Sequence, residues 1–305
     1  MKTELCLILL LTSLILGACS SEDVIEDPPP PLNTDYTAFT NPELVNIAGY
    51  TGEVMEPFFS RDGRFMFFND MGDNKDIFYA SYDAPTDVFT FEGAISVINT
   101  PAVEGVPTLD NNGRFYYIST FNYPPGGAQV FDTVYVGDFD PASPAVVNNL
   151  AVVPNLDEGV MGHLNFDVEV SPDGTMLYLV DGIFSGNPFP DVSNFIYAKD
   201  SGAGFVRAAD SAAIFTNINT NDLEYAACIS QDGLEFFFTR LKIATLETKN
   251  FRASRTSLTA AFGEPQEIPL PAGLLAAPPL APAEQELASH RRNPGTTLFE
   301  LYRVT

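Results

Sequence analysis

The chain has 305 residues, with 15 Lys and Arg against 40 Asp and Glu, a formal net charge of −25, three cysteines and no tryptophan. A charge of that size repels phosphate backbones and anionic bilayer surfaces, which argues against nucleic acid as a partner. With 45% hydrophobic residues the chain buries a sizeable core and is not disordered, while its length alone permits one large domain or two small ones.

From the N-terminus, residues 1–18 read as a secretory signal. Lys2 supplies the positive start, and Leu5 to Leu16 is apolar apart from Thr12 and Ser13, too short for a comfortable permanent span. The segment ends in Leu16-Gly17-Ala18-Cys19, which resembles the bacterial lipobox. That resemblance implies a diacylglycerol on the Cys19 sulfur, cleavage just before it, and acylation of the new amine. The plainer reading is an ordinary signal with an incidental cysteine. Ser20 rather than Asp follows, and by resemblance to the sorting rule of enteric bacteria the lipoprotein goes to the outer membrane, facing the periplasm or the cell surface. The membrane is then met through the lipid anchor only. Residues 19–42 form an acidic, proline-rich tether in which Pro28 to Pro31 favour a semi-rigid polyproline II spacer. Cys6 leaves with the signal and Cys19 carries the lipid, so Cys228 stands alone. It lies in an apolar strand with no basic neighbour and reads as a buried small hydrophobe.

The remainder, residues 43–305, repeats. Ser60-Arg61-Asp62-Gly63, Asp110-Asn111-Asn112-Gly113, Ser171-Pro172-Asp173-Gly174 and Ser230-Gln231-Asp232-Gly233 each precede an aromatic or aliphatic run, and their glycines are 50, 61 and 59 residues apart. A worn fifth copy without the Asp-Gly is placed 51 residues after Gly233, at Ala281-Pro282-Ala283-Glu284. Each unit reads as four strands. An apolar strand leads into the turn, where Asp bonds its own backbone and Gly takes positive φ. An aromatic strand follows, then a third such as Asp76 to Ser81, then a fourth (Val88 to Val97, Ala145 to Val153, Phe205 to Phe215, Phe262 to Ile268). No segment carries a helical apolar period.

Four antiparallel strands recurring every 50 to 60 residues predict an all-β fold, a β-propeller of blades. The Pro-x-x-Ser-x-Asp-Gly turn, the aromatic strand and the Asp-Ile-Phe-Tyr strand resemble the WD-like repeats of TolB-type β-propellers over residues 43–305. The TolB protein itself resembles a six-bladed ring behind an α/β domain, and no such domain fits this chain. The 263 residues from 43 to 305 divide instead into five four-stranded blades of about 53 residues. The last blade supplies three strands, and Glu43 to Ala48 is expected to close the ring as its outer strand.

The Asp-Gly turns recur in every good copy and are therefore architecture. Chemistry is sought where the loops enter the innermost strands around the central channel. Asn99-Thr100 with Glu104 and Asn219-Thr220 with Glu224 repeat a submotif, with Asn 14 and Glu 9 residues before the turn glycine. Glu53 and Glu56 lie near this point in the first unit, and Asp157, Glu158, His163 and Asp167 in a longer loop of the third. A ring of carboxylates at the channel mouth suits a cationic partner or a hard ion such as Ca²⁺. The same residue types also bond their own loops. The loop Asp70 to Asp76 superficially suggests a calcium loop but lacks its alternating order and terminal Glu. There is no Gly-x-Ser-x-Gly elbow, no His/Cys cluster for zinc and no phosphate loop, so no cofactor is identified.

Two function classes follow. One is a lipid-anchored, non-enzymatic binding module for an envelope protein, peptide or glycan. The other is a glycan-active enzyme, since some five-bladed propellers are glycosidases with carboxylates from different blades. A deep pocket with converging carboxylates and aromatic platforms would favour the second.

Overall fold

The computed structural model describes residues 42–123, 131–187, 189–270, 287–293, 295–296 and 298–304. The signal, Cys19 and all of the tether but Pro42 lie outside these residues. The chain opens with β1 (Glu43–Leu44) and β2 (Ile47–Ala48). Blade 1 then follows as β3 (Met55–Phe59), β4 (Phe65–Asn69), β5 (Ile77–Asp83) and β6 (Val88–Ala94). Blade 2 is β7 (Glu104–Leu109), β8 (Arg114–Ser119), β9 (Val134–Phe139) and β10 (Val147–Val152). Blade 3 is β11 (His163–Val170), β12 (Met176–Ile183), β13 (Val192–Asp200) and β14 (Phe205–Arg207), followed by α1 (Ser211–Ile214). Blade 4 is β15 (Leu223–Ile229), β16 (Glu235–Lys242), β17 (Glu247–Ser254) and β18 (Gln266–Ile268). Blade 5 shows β19 (Leu287–Arg292) and β20 (Phe299–Val304), with β1 on its outer edge. The protein is a five-bladed β-propeller.

The repeated turn is one device used again and again. Ser60 Oγ accepts the Phe65 N–H at 2.9 Å and donates to Asp62 Oδ1 at 2.7 Å, which also accepts the Arg64 N–H. Ser171 with Asp173, and Ser230 with Asp232, make the same bonds. In blade 2 Asp110 does the work from the serine position, accepting the N–H groups of Asn112 and Arg114. Gly63, Gly113, Gly174 and Gly233 sit at φ between 71° and 83°, where a side chain is strained.

The aromatic second strands are the core. Every residue of β4 is buried because the strand is sandwiched between two neighbouring blades. Phe65 and Phe67 pack towards Phe115 and Phe139 of blade 2, whereas Met66 and Phe68 turn to the side of Ala288 and Leu301 of blade 5. The apolar residues fall into five such clusters, one at each junction of adjacent blades, so the ring is closed by packing throughout.

The N-terminal chain latches that ring. Glu43 and Leu44 pair with Arg303 and Tyr302, and Arg303 also reaches Asp87 of blade 1. The expected outer strand Glu43 to Ala48 is, however, divided. Only its first part belongs to blade 5; Ile47 and Ala48 pair in parallel with Phe89 and Thr90 of β6. The chain crosses between blades here because Ile47 buries its side chain in the cluster shared with blade 1. A second correction concerns Phe205 to Phe215, expected as one strand. After Arg207 it turns into α1, which drops Ile214 and Phe215 into the cluster between blades 3 and 4. Four helical residues are too few to show a period in sequence.

Each of the four described innermost strands (β3, β7, β11 and β15) starts at the end of the ring that carries the β4–β5, β8–β9, β12–β13 and β16–β17 loops, and runs to the repeated turns at the other. The Glu104 N–H bonds to Asn74 O at the loop end, and the Asn111 N–H to Pro172 O at the turn end.

Candidate functional site: the central channel

The four described innermost strands are bulged at a common place. Seven residues before the turn glycine stand Glu56, Val106, Asp167 and Ala226, and three of them adopt positive φ (46° at Glu56, 54° at Val106, 56° at Ala226). A bulge re-aims its side chain. Glu56, Val106, Asp167 and Ala226 line a cavity of about 40 Å³ on the channel axis, together with Phe58, Glu169 and Cys228 from the position two residues further on.

The loop end of this channel is occupied by charge. Lys75, from the β4–β5 loop, places Nζ 3.1 Å from Glu56 Oε1. Burial alone would raise the Glu56 carboxyl, but the Lys75 ammonium, with smaller help from His290 and Asn69, holds the group below the usual carboxylate range. Among the described residues Asp167 forms no salt bridge, although its charge is felt by the Lys75 ammonium. Burial first, then the negative charge of Glu56, push its carboxyl up to about 8, even though Oδ2 accepts the Ala226 N–H at 2.5 Å. His290, from β19, is held neutral, with burial driving its imidazole down to about 4 against the pull of Glu56.

The turn end is sealed by a different pair. Arg61, in the first Asp-Gly turn, reaches across the ring to Glu169 at 2.8 Å and to the carbonyls of Val170 and Ile229. Glu169 also accepts Thr108 Oγ1 at 2.6 Å and the Ile229 N–H. One carboxylate thus joins four blades, and the side chain is only 3% exposed.

The sequence candidates divide. Glu56 and Asp167 meet in the channel. Glu104 and Glu224 do not reach it; each is completely buried and staples its own loop. Glu104 accepts the Thr100 N–H, Thr100 Oγ1 and Ser119 Oγ. Glu224 accepts the Thr220 N–H, Thr220 Oγ1 and Arg240 Nε–H. Asn99 and Asn219 brace these loops by bonding both backbone groups of Ile77 and Phe195. Glu158 pairs with Arg207 at an exposed position, and His163 opens β11 opposite Ile183, outside the channel lining. Among the described residues no group of three His, Cys, Asp or Glu side chains could hold a metal ion. In the loop Asp70 to Asp76, Asp70 caps its own turn by accepting the Gly72 N–H.

Sequence reading passed over Lys75, Glu169, Arg61 and His290. Counting back seven and five residues from each turn glycine finds Glu56 with Asp167, and Thr108 with Glu169. His290 lies six residues past Glu284 of the worn copy, as Asn69, Ser119 and Thr239 lie six past their glycines; all four are buried polar groups. A larger hollow of about 310 Å³ lies at the turn end between blades 1 and 2, but its polar lining (Asp62, Asp110, Asn112) is engaged in the turns.

No family model matches the chain, and no curated protein does. Solved structures do. The catalytic domain of the GH62 α-L-arabinofuranosidase of Coprinopsis cinerea is 12% identical, with TM-score 0.54, over 88% of this chain and 96% of that one. A family 117 glycoside hydrolase of Zobellia galactanivorans is 13% identical, with TM-score 0.51, over 87% and 90%. A TolB-type chain from Agrobacterium tumefaciens is 14% identical, with TM-score 0.47, over 85% and 77%. At these identities the likeness shows the fold alone.

Proposed function

We propose that this chain is a lipid-anchored, non-enzymatic binding module of the bacterial envelope, meeting a protein, peptide or glycan with the loop end of its ring. The observation that carries the reading is the volume of the channel. A cavity of about 40 Å³ has room for two or three waters, against roughly 300–1,000 Å³ for pockets that enclose small ligands. Its carboxylates are spent inward, on Lys75, Arg61 and the Ala226 backbone. Apolar side chains are instead left exposed on the loops around it: Met71, Phe121, Val160, Met161, Phe189 and Leu246. Exposed apolar groups gathered at one end support a contact surface. Glu43 pairs with Arg303 at the turn end of the ring.

Two measurements test this reading. Phe121→Ser with Phe189→Ser is expected to leave stability within about 0.5 kcal/mol while weakening capture from an envelope extract, or binding on a glycan array, at least tenfold. Unchanged binding by the double variant argues against the loop end. Cys19→Ala is expected to move the protein from the membrane pellet to the soluble fraction and abolish labelling by radioactive palmitate; retained labelling contradicts the anchor.

One observation favours a second reading, the glycan-active enzyme. Glu56 and Asp167 shift in opposite directions, the pattern of a base and an acid sharing a site. Oligosaccharide cleavage abolished by Glu56→Gln would establish it.

A further inference from the structure

Several buried polar atoms left without a hydrogen-bond partner belong to residues that line the channel or act on its lining. Glu56 Oε2, Asp167 Oδ1, His290 Nδ1 and Arg61 Nε are four of the seven such side-chain atoms among the described residues. Asp167 is 5% exposed and His290 4%. Buried polar atoms of this kind require a partner, and desolvating them without one is destabilising. Two of the four are carboxylate oxygens on side chains that line the same cavity. Counted as ionised, the described carboxylates Glu56, Asp167 and Glu169 exceed the described cations beside them, Lys75 and Arg61, by one charge.

We propose that the channel is a binding site for one small monovalent cation, of the sodium or potassium class, held between Glu56 Oε2 and Asp167 Oδ1 and completed by water. Volume sets the upper size: about 40 Å³ admits a bare ion and one or two waters but no organic ammonium ion. Charge sets the valence. With Asp167 ionised, a single positive charge balances the described groups, whereas a divalent ion overcharges them beside Lys75, and among the described residues no group of three His, Cys, Asp or Glu side chains could hold it. A proton on Asp167 is the competing way to cancel the charge. The groups that act on Asp167 are Glu56 from β3, Lys75 from the β4–β5 loop, Glu169 from its own strand and Tyr225 from β15, with His290 of β19 beside Glu56.

Thermal melts of the wild-type protein in alkaline buffer, where protons compete least, test the site. Sodium, potassium and tetramethylammonium chlorides are compared at equal ionic strength. Sodium or potassium is expected to raise Tm by several degrees over tetramethylammonium, and Asp167→Asn to remove the difference. Equal Tm in all three salts, or a larger rise with calcium chloride than with either small monovalent salt, overturns the proposal. Crystals soaked in thallium(I) give a readout that does not depend on a variant folding. An anomalous peak between Glu56 and Asp167 is expected, and density only at surface carboxylates contradicts the site.

Discussion

Glu169→Ala is expected to lower stability by about 3–5 kcal/mol, a fall in Tm of about 10 °C for a ring of this size. Glu169 is the point where four blades meet. Its removal leaves the Arg61 guanidinium uncompensated inside the channel, and takes the acceptor from Thr108 Oγ1 and the Ile229 N–H. Losing one member of a buried pair costs far more than the pair contributes, because the remaining charge has nowhere to go. The double replacement Arg61→Met with Glu169→Leu is therefore expected to recover part of the loss. Chemical denaturation of the three proteins measures it. A Glu169→Ala ring within about 1 kcal/mol of wild type would mean that the blades are held by their aromatic clusters alone.

Asp167→Asn is expected to act in the opposite sense. The folded ring keeps the Asp167 proton up to about pH 8, whereas an unfolded chain releases it near 4. Stability from this group is thus complete below about pH 4 and is lost as pH rises through about 8, by on the order of 5 kcal/mol. Asn at this position still accepts the Ala226 N–H but carries no charge to bury. In a buffer whose cation is tetramethylammonium, the wild-type protein should lose Tm steadily from pH 5 to about 8.5. The variant should stay nearly level and be the more stable of the two at the alkaline end. Parallel pH profiles would show that Asp167 does not carry the buried proton.

Much of the ring was legible in the sequence because its signals are local. The turn with its glycine and the strand after it lie within ten residues, and in blades 1 to 4 both are demanded by hydrogen bonding and burial, with Asp110 taking the role in blade 2. The closing strand was legible in kind but not in detail: nothing in Glu43 to Ala48 tells that Ile47 finds a better burial on blade 1 than on blade 5. The channel was legible only in part. Glu104 and Glu224 stand out in sequence because each sits in a loop with its own Asn-Thr, and that very locality is why they bond their loops. Glu56 and Asp167 share only an offset from a glycine. The groups that define their chemistry, Lys75 and His290, come from another loop and another blade, brought there by ring closure.

The proposed function requires a channel that is interior and loops that are the working surface. A panel of envelope-type oligosaccharides, incubated with wild type, Glu56→Gln and Phe121→Ser/Phe189→Ser and followed for both binding and released reducing ends, tests it most directly. No cleavage by any of the three, with binding lost in the phenylalanine variant and kept in Glu56→Gln, is the predicted result. Cleavage by the wild type that disappears in Glu56→Gln would contradict it.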